Sequence, residues 1–368
     1  FHLGWRCRGQ FDCQMGRKRL VSFGIGDGRH RVTERVRPGG IRRGTLRRRL
    51  VREAGGIEAN YVAKWDGSVW SALGPGVGGG VSASVHALAV SGADLYVGGQ
   101  FYMVGDAYAG HIAKWDGHAW SGLGWGLMSM DLYTMVYALA VSGTDLYVGG
   151  RFTMADDVPA DHIARWDGTA WSAVDSGVGG VEYPAVRALA VSPSADLYAG
   201  GVFTQAGGVG TSHIARWNRS GWSALGQGMN NTVSALALSG NDVYFGGSFT
   251  TAGGVAARAV ARWDGKVWAT LGTGMNDAVW ALAMHGGDLY AGGGFTMAGG
   301  VPADAIAKWD GSAWSALGTG MNGPVRALAM SGNELYAGGV FTTAGGVPAN
   351  SIARWDGAKW SALGAGLD

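Results

Sequence analysis

Apolar residues in this chain come in short runs separated by tight-turn residues, and the runs recur in one fixed order. They have the forms ALAV, LYVGG, IARW and WSAL, which we designate strands a, b, c and d. Small and apolar residues fill both alternating sets of positions, which predicts strands that are buried on both faces. Ser-Gly-x-Asp joins a to b, and Asp-Gly plus two residues joins c to d. Both favour tight turns, because Gly takes positive φ and Asp bonds its own backbone.

The Trp of strand c marks the repeat, and a second Trp follows it five residues later in every copy. A further signature, such as HALAVSGADLYVGGQF at 86–101, carries strands a and b and occurs six times. Copies are 46 to 51 residues apart, since the first Trp of each pair stands at positions 65, 115, 166, 217, 263, 309 and 355. Short strands at even spacing, with one aromatic motif in every unit, are typical of a β-propeller.

A single four-stranded sheet of this kind leaves two apolar faces, and stacking similar sheets around a ring covers both. We therefore predict an all-β fold, a β-propeller of four-stranded antiparallel blades. The chain supplies six complete blades plus an incomplete first blade with only strands c and d in frame. The intact protein is predicted to have seven or eight blades.

The repeat resembles the kelch-type family of propellers over residues 61–368. The resemblance rests on the Gly-Gly that ends strand b, as at Gly98–Gly99 and Gly149–Gly150, and on the aromatic-Asp turn followed by Trp. The c–d turn is shorter than the usual kelch turn, and strand c carries Trp where kelch repeats more often have Tyr. A distinct WDG/Gly-Gly repeat family of bacterial appearance is therefore the alternative. Kelch-like propellers commonly act as interaction platforms, so the resemblance implies a binding function.

Composition divides the chain near residue 53. Residues 1–53 hold 15 of the 29 Lys and Arg but only four of the 27 acids, which leaves the rest with 14 bases, 23 acids and a net charge of −9. Both cysteines, Cys7 and Cys13, also lie in the first segment, so residues 54–368 have neither disulfides nor thiolate metal ligands. The 68 Gly without a three-residue period exclude collagen, and no apolar run is long enough to span a membrane.

We interpret residues 1–53 as a frame-shifted, non-native segment, disordered or misfolded, and residues 54–368 as the propeller. Reading the codons one base later permits IAKWDGSAWSALG along 12–24 and YALAVSGGELYAGGSF along 36–51. The hidden Trp falls at position 15, which is 50 residues before Trp65, and the first visible interval, from Trp65 to Trp115, is also 50. A single-base deletion near 52–53 would return the chain to the frame of the repeat.

The rival interpretation of the first segment is a basic arm that binds nucleic acid or anionic lipid, since Arg42, Arg43 and the run Arg47–Arg49 would suit either. GC-rich Gly and Ala codons become Arg codons when the frame is shifted, so we predict no nucleic-acid partner and no membrane span. The chain begins at Phe1 and not at Met, so we expect the natural N-terminus, and any signal peptide, to lie upstream.

Residues that invite a catalytic or metal-binding interpretation stand at repeated positions. His111, His162 and His213 precede strand c in successive blades, too far apart to share one metal ion, which favours a structural role at the strand edge. We expect turn stabilisation from the WDG aspartates, which are Asp66, Asp116, Asp167, Asp264, Asp310 and Asp356. Asn218 replaces one of them without changing the Trp spacing. No Ser-His-Asp order, Cys nucleophile or metal-ligand cluster is present, so we expect no catalytic residue, no metal and no cofactor.

The d–a loops are candidates for recognition, because loops on a rigid scaffold commonly carry binding residues. Strand direction alternates, so the a–b and c–d turns share one rim and the b–c and d–a loops share the other. Leu73 to Ala87 spans 14 residues, but Leu271 to Ala281 spans only 10, so half of the long-loop rim is enlarged. Aromatics beside acids suit a sugar or a peptide, the alternative being a neutral insertion. The candidates are Trp125, Met128, Asp131, Tyr133, Asp175, Glu182 and Tyr183.

The residue before Ala-Leu-Ala in strand a varies, although the sequence around it is nearly constant. We expect this position to ring the mouth of the central channel on the long-loop rim. It forms either a recognition ring or a set of unconstrained rim positions. Its members are His86, Tyr137, Arg187, Ser234, Trp280 and Arg326.

These observations predict a non-catalytic scaffold that recognises protein or glycan through the rim with the long b–c and d–a loops. We expect an extracellular or cell-surface location. One alternative is a sialidase- or galactose-oxidase-like enzyme with a site at the channel mouth. The candidate residues for such a site are Arg187, Arg326 and Tyr137. The other alternative is a purely structural repeat domain.

Overall fold

The structure is a computed structural model, and the regular structure of the residues that it describes is entirely β. It describes residues 5–7, 13–15, 18–20, 53–78, 83–129 and 133–367. In this part of the chain, no helix is long and apolar enough to cross a membrane. Trp5–Cys7, Cys13–Met15 and Lys18–Leu20 form a small antiparallel sheet. Most of the segment assigned to the shifted frame lies outside the described residues, so the division at residue 53 stays a prediction.

Six antiparallel sheets, each ordered a–b–c–d, form complete blades that we number 2 to 7. In the order a, b, c, d, blade 2 consists of Ser84–Ser91, Asp94–Gln100, Ile112–Trp115 and Trp120–Gly122. Blade 3 consists of Met135–Ser142, Asp145–Arg151, Ile163–Trp166 and Trp171–Ala173. Blade 4 consists of Ala185–Val191, Leu197–Val202, Ile214–Trp217 and Trp222–Ala224. Blade 5 consists of Val233–Ser239, Asp242–Gly247, Val260–Trp263 and Trp268–Thr270. Blade 6 consists of Val279–His285, Asp288–Gly293, Ile306–Trp309 and Trp314–Ala316. Blade 7 consists of Val325–Ser331, Glu334–Gly339, Ile352–Trp355 and Trp360–Ala362. The predicted propeller with six complete blades is confirmed.

Blade 1 has only its outer strands c and d, Ala63–Trp65 and Trp70–Ala72, within the described residues. These strands pack on blade 7, where Tyr336 and Leu363 are buried in one cluster with both Trp rings. The incomplete blade therefore joins the two ends of the repeat array. The described residues close the ring with seven positions, and the number of blades in the intact protein stays a prediction.

The second Trp of every pair ties its blade to the preceding one. Its indole N–H donates to the carbonyl oxygen of the residue that follows strand d in that blade, at 2.6 to 3.3 Å in all seven copies. In the copy that closes the ring, Trp70 donates to Leu363. The two Trp rings within a blade pack at an angle, as in the 5.3 Å contact of Trp65 with Trp70. The Trp spacing in the sequence thus encodes both the blade edge and the joint between blades.

The WDG aspartates close the c–d turns, as the sequence predicts. The Asp310 carboxylate accepts the backbone N–H groups of Ser312 and Ala313, both at 2.8 Å. Asn218 accepts the equivalent pair through its side-chain oxygen. An oxygen acceptor at this position is therefore sufficient for the turn, which explains why Asn replaces Asp without a change in the Trp spacing.

The Gly-Gly pair at the end of strand b permits two close approaches. A Cβ on the first glycine of blade 2, Gly98, would overlap the side chain of Val136 in blade 3. A Cβ on the second glycine of blade 4, Gly201, would overlap the carbonyl oxygen of Ala185 in strand a of the same blade. The first glycine thus allows blades to pack together, and the second brings strand b close to strand a.

A second belt of pairing runs along the long-loop rim. Each b–c loop forms a two-residue-strand hairpin, and the chain leaving strand d of the preceding blade pairs with it. The closing pair is Ala54 with Leu367. This pairing confirms that the b–c and d–a loops share one rim. The hairpins are Glu53–Ala54 with Ile57–Glu58, Met103–Val104 with Ala107–Tyr108, Met154–Ala155 with Val158–Pro159, Gln205–Ala206 with Val209–Gly210, Thr251–Ala252 with Val255–Ala256, Met297–Ala298 with Val301–Pro302, and Thr343–Ala344 with Val347–Pro348. The d–a strands on them are Val77–Gly78, Leu127–Met128 and Val178–Gly179.

Candidate functional site

The variable position of strand a is a β-bulge in all six complete blades. In blade 2, Gly98 pairs with Ala87 and Gly99 pairs with Val85, so His86 stands opposite no residue of strand b. The same shift skips the corresponding residue in each of the other five blades. Bulges redirect a side chain and interrupt pairing, and they are common next to binding sites. The bulge explains locally how a residue in a strand buried on both faces reaches the channel.

The six bulge residues line one cavity of about 130 Å³ at the mouth of the channel. Its remaining lining comes from the Ala and Leu residues that follow each bulge in strand a. The structure thus brings together the whole set predicted as a ring, namely His86, Tyr137, Arg187, Ser234, Trp280 and Arg326. Whether this ring recognises a ligand stays a prediction.

Neighbouring bulge residues stack on one another around the cavity. The Cζ atom of Arg326 lies 4.3 Å from the ring centroid of Trp280 in the preceding blade, and Cζ of Arg187 lies 5.3 Å from that of Tyr137. On its other side, Tyr137 contacts the His86 ring at 5.7 Å. Cation–π contacts of this kind are worth about 0.5 to 2 kcal/mol. They restrict both guanidinium groups to defined positions.

The described lining of the cavity contains two arginines and no carboxylate. Arg326 also has a buried Nε atom without a hydrogen-bond partner. A buried donor that has lost water without gaining an acceptor costs about 1 to 3 kcal/mol. The cavity is therefore electropositive, and it holds hydrogen-bonding capacity that the described protein groups do not use.

The enlarged loops present a second feature, a surface rich in exposed aromatic rings. Among the described residues, all five exposed Tyr, Trp and Phe side chains lie in this half of the rim, and they are Tyr102, Tyr108, Trp125, Tyr133 and Tyr183. Monomeric soluble proteins rarely collect exposed apolar groups in one place without a binding role. We refer to these five residues as the aromatic rim.

The aromatic rim contains two clusters. Trp125, which is 69% exposed, contacts Tyr108 at 6.1 Å between ring centroids. The guanidinium of Arg151 lies between Tyr133 and Tyr183, with Cζ at 5.7 and 5.0 Å from their centroids. Tyr133 and Tyr183 come from different d–a loops, so Arg151 joins these two loops.

The other loop candidates behave differently. Met128 is partly exposed in the short rim strand that pairs with Met154. Asp175 has a positive φ of 56°, and its carboxylate accepts the N–H of Ser176, which indicates a turn role. Glu182 is exposed. Asp131 lies outside the described residues.

Sequence reasoning missed Tyr102, Tyr108 and Arg151. The two tyrosines belong to a b–c loop whose constant length gave no reason to examine it. Arg151 directly follows the Gly-Gly of strand b, where the other complete blades carry Gln100, Val202, Ser248, Gly294 and Val340. This variation after a constant Gly-Gly was the signal that could have found it.

The aromatic rim adjoins the channel mouth at blade 3. Met135 pairs with Arg151, and the Tyr137 hydroxyl donates to the Met135 sulfur at 3.0 Å. The two candidate regions therefore belong to one continuous face of the ring.

The repeated histidines are structural, as the sequence predicts. His111 has a φ of 73°, and its backbone N–H and C=O bond Phe101 and Gly99. Ala259 and Ala305 take the same conformation at the equivalent positions. Burial lowers the pKa of His111 from 6.5 to about 4, so the ring is neutral at pH 7. Within the described part of the chain, no three His, Cys, Asp or Glu side chains are grouped to hold a metal ion.

Comparisons with known proteins add resemblances in fold only. No protein-family model matches the chain, and no curated protein matches it. A solved structure of the computationally designed Ika8 protein is 20% identical, with a TM-score of 0.46 and coverage of 77% of this chain and 74% of that one. A chain of the mitotic checkpoint complex is 17% identical, with a TM-score of 0.44 and coverage of 92% and 88%. The assignment to the propeller fold rests on the strand topology of this chain.

Proposed function

We propose that this protein is a non-catalytic binding scaffold that recognises a protein or a glycan through the long-loop rim of its propeller. The observation that carries the proposal is the contrast between a nearly constant blade frame and one continuous face of variable side chains. That face comprises the six bulge residues around the channel mouth and the aromatic rim beside them. Tyr, Trp and Arg are the residue types that most often dominate binding energy at interfaces.

Clustering on one side supports this function over that of a structural spacer. A spacer has no need for five exposed aromatic rings on one half of one rim, since each costs solubility. The kelch-like Gly-Gly and WDG pattern fits the same role, because kelch-type repeats commonly form interaction platforms. An extracellular or cell-surface location is part of the proposal, and the parent nucleotide sequence tests it by showing whether an export signal precedes the repeats.

The decisive experiment combines a glycan array with affinity capture and cross-linking of the bound partner. Trp125→Ala should weaken binding of the captured ligand by about tenfold or more, because exposed Trp anchors typically contribute over 1 kcal/mol to the free energy of binding. Val267→Ala is the matched control, since Val267 is 60% exposed in a c–d turn on the opposite rim. An empty array together with an empty capture would remove the proposal.

A second candidate is an enzyme at the channel mouth, because Arg187, Arg326 and Tyr137 line one cavity. General acid–base catalysis requires a titratable group within hydrogen-bond reach of the substrate. Besides the arginines, the described lining offers Tyr137 and His86 for such a role. Turnover of a fluorogenic sialoside, or oxidation of galactose, that is lost in Tyr137→Phe would favour this candidate over the scaffold.

A further inference from the structure

We propose that the channel mouth seats the carboxylate of an Asp or Glu side chain presented by an acidic peptide segment of a partner protein. This inference rests on the proposed binding function, and it names the chemistry of one part of that site. It follows from the charge, the hydrogen-bonding capacity and the size of the cavity.

The charge of the cavity selects an anion. Two arginines line it, and its described lining has no carboxylate. Elsewhere in the propeller, the basic side chains of strand c pair with an acid of strand b, as Arg165 does with Asp145 and Arg354 with Glu334. Arg187 and Arg326 make no such pair among the described residues. Two uncompensated cations inside a body with a net charge of −9 over residues 54–368 mark the place where an anionic ligand is favoured.

The arginines are also oriented before any ligand arrives. Arg326 stacks on Trp280 and Arg187 stacks on Tyr137, so the planar guanidinium groups have limited freedom. The Nε atom of Arg326 is buried and lacks an acceptor. A carboxylate supplies such an acceptor with the planar geometry that guanidinium groups bind best. Ser234 adds a hydroxyl to the same lining.

The volume of the cavity argues for a side chain over a sugar. The cavity measures about 130 Å³, and an apolar cavity of roughly 150 Å³ holds one benzene molecule. The carboxyl end of Asp or Glu fits in such a space. A hexuronic acid has about twice as many heavy atoms as benzene, so much of its ring would stay outside the cavity. The remainder of the peptide would lie across the aromatic rim, which meets the cavity at blade 3.

The test measures binding of a fluorescein-labelled hexaglutamate peptide by fluorescence anisotropy, with hexaglutamine as the neutral probe. Arg326→Gln and Arg187→Gln should each weaken the binding of hexaglutamate by about tenfold or more, because each variant loses a charge-assisted hydrogen bond to the carboxylate. Lys266→Gln removes the same charge from an exposed position on the opposite rim and should leave the affinity unchanged. Arg326→Lys keeps the charge but loses the planar, bidentate donor geometry of the guanidinium, so its affinity for hexaglutamate should lie between those of the wild type and Arg326→Gln. Thermal unfolding of each variant identifies any that fail to fold.

Three results would overturn the proposal. Equal binding of hexaglutamate and hexaglutamine would show that the site does not recognise the carboxylate. Equal loss in Lys266→Gln would show that binding reflects overall charge. A sulfated or uronic oligosaccharide that binds through both arginines, while hexaglutamate does not, would assign the site to a glycan. If hexaglutamate fails but a captured partner still depends on Trp125, only this inference is lost. If both fail, the proposed function is lost with it.

Discussion

Trp70 and Leu363 are 293 residues apart in the chain, yet the indole N–H of Trp70 donates to the carbonyl oxygen of Leu363 at 3.1 Å. The same bond joins Trp120 to Leu73 across 47 residues, and five further pairs of blades repeat it. The closing contact is therefore one more copy of the joint between blades. Among the seven Trp bonds it has the largest sequence separation, and its formation requires the rest of the ring to be in place.

Trp70→Ala should destabilise the ring by roughly 3 to 5 kcal/mol, because it removes a large buried ring and leaves the Leu363 carbonyl without its donor. Urea unfolding followed by far-UV circular dichroism measures the change, and limited proteolysis should show faster cleavage near both ends of residues 54–368. Trp125→Ala is the control, since its ring is 69% exposed and its loss should change stability by less than about 0.5 kcal/mol. Equal stability of the wild type and Trp70→Ala would contradict closure through this joint.

Two glycines of blade 4 should respond to alanine in opposite directions. Gly201→Ala places a Cβ against the carbonyl oxygen of Ala185, where the backbone cannot yield easily, so we expect a loss of about 1 to 3 kcal/mol. Gly221→Ala meets nothing within 4 Å at an ordinary φ. It should be neutral or stabilising by up to about 1 kcal/mol through the unfolded chain. Ala119 and Ala313 already stand at the equivalent position. Equal effects of the two substitutions would argue against the close approach at the bulge.

The stability of the propeller should fall between pH 6.5 and 4 because of His111. Burial lowers the pKa of its imidazole from 6.5 to about 4, so in this range the unfolded chain takes up a proton that the folded protein excludes. The stability present above pH 6.5 is therefore lost as the pH falls, at up to about 1.4 kcal/mol per pH unit. His111→Ala should flatten this slope without distorting the backbone, because Ala259 already takes a φ of 62° at the same position. His118→Ala, at an exposed turn position, should not flatten it.

The WDG turn should give a second acid response at lower pH. Backbone N–H bonds from Ala313 and Ser312, together with the Ser312 hydroxyl, lower the pKa of Asp310 from 3.8 to about 2. Its stabilising effect is fully present above pH 3.8 and is lost as the pH falls through about 2. Asp310→Asn should keep the turn and remove this part of the pH dependence, as Asn218 keeps its own turn. Asp310→Ala should lower the unfolding temperature at neutral pH. An Asn variant as unstable as the Ala variant would contradict an acceptor role.

The sequence predicted the blades well because their information is local and repeated. The period of the Trp pair, the Asp turn and the small residues of strand b all act within one unit, so seven copies reinforce one interpretation. The ring position could be inferred for the same reason, since variation at one position in a constant frame is visible in the sequence alone. Ring closure at seven positions was not predictable, because it depends on contacts such as that between Trp70 and Leu363.

The bulge at the ring position was not predicted either, although the second glycine of the Gly-Gly pair that lies opposite it was visible in the sequence. Gly201 allows Ala185 of strand a to approach, and the approach accompanies the register shift that frees Arg187. The second glycine of each pair could therefore have indicated the bulge. The stacking of Arg326 on Trp280 lay beyond sequence reasoning, since it joins residues of different blades whose relative orientation only the ring defines.

The last prediction concerns the reading frame of residues 12–51. Shifting these codons by one base permits YALAVSGGELYAGGSF at 36–51, which has the form of strands a and b, and blade 1 has only strands c and d among the described residues. A gene with the frame restored should therefore encode a more stable protein, because two added strands bury apolar side chains worth about 1.5 to 3 kcal/mol each. For a chain of this size, each kcal/mol raises the unfolding temperature by roughly 2 °C. Residues 54–368 alone serve as the control, and we expect their stability to stay close to that of the present chain, because the frame-shift interpretation gives the shifted segment no strand of the repeat. A restored protein that unfolds no later than the present chain would reject the frame shift. So would a marked loss of stability on removing residues 1–53 from the present chain.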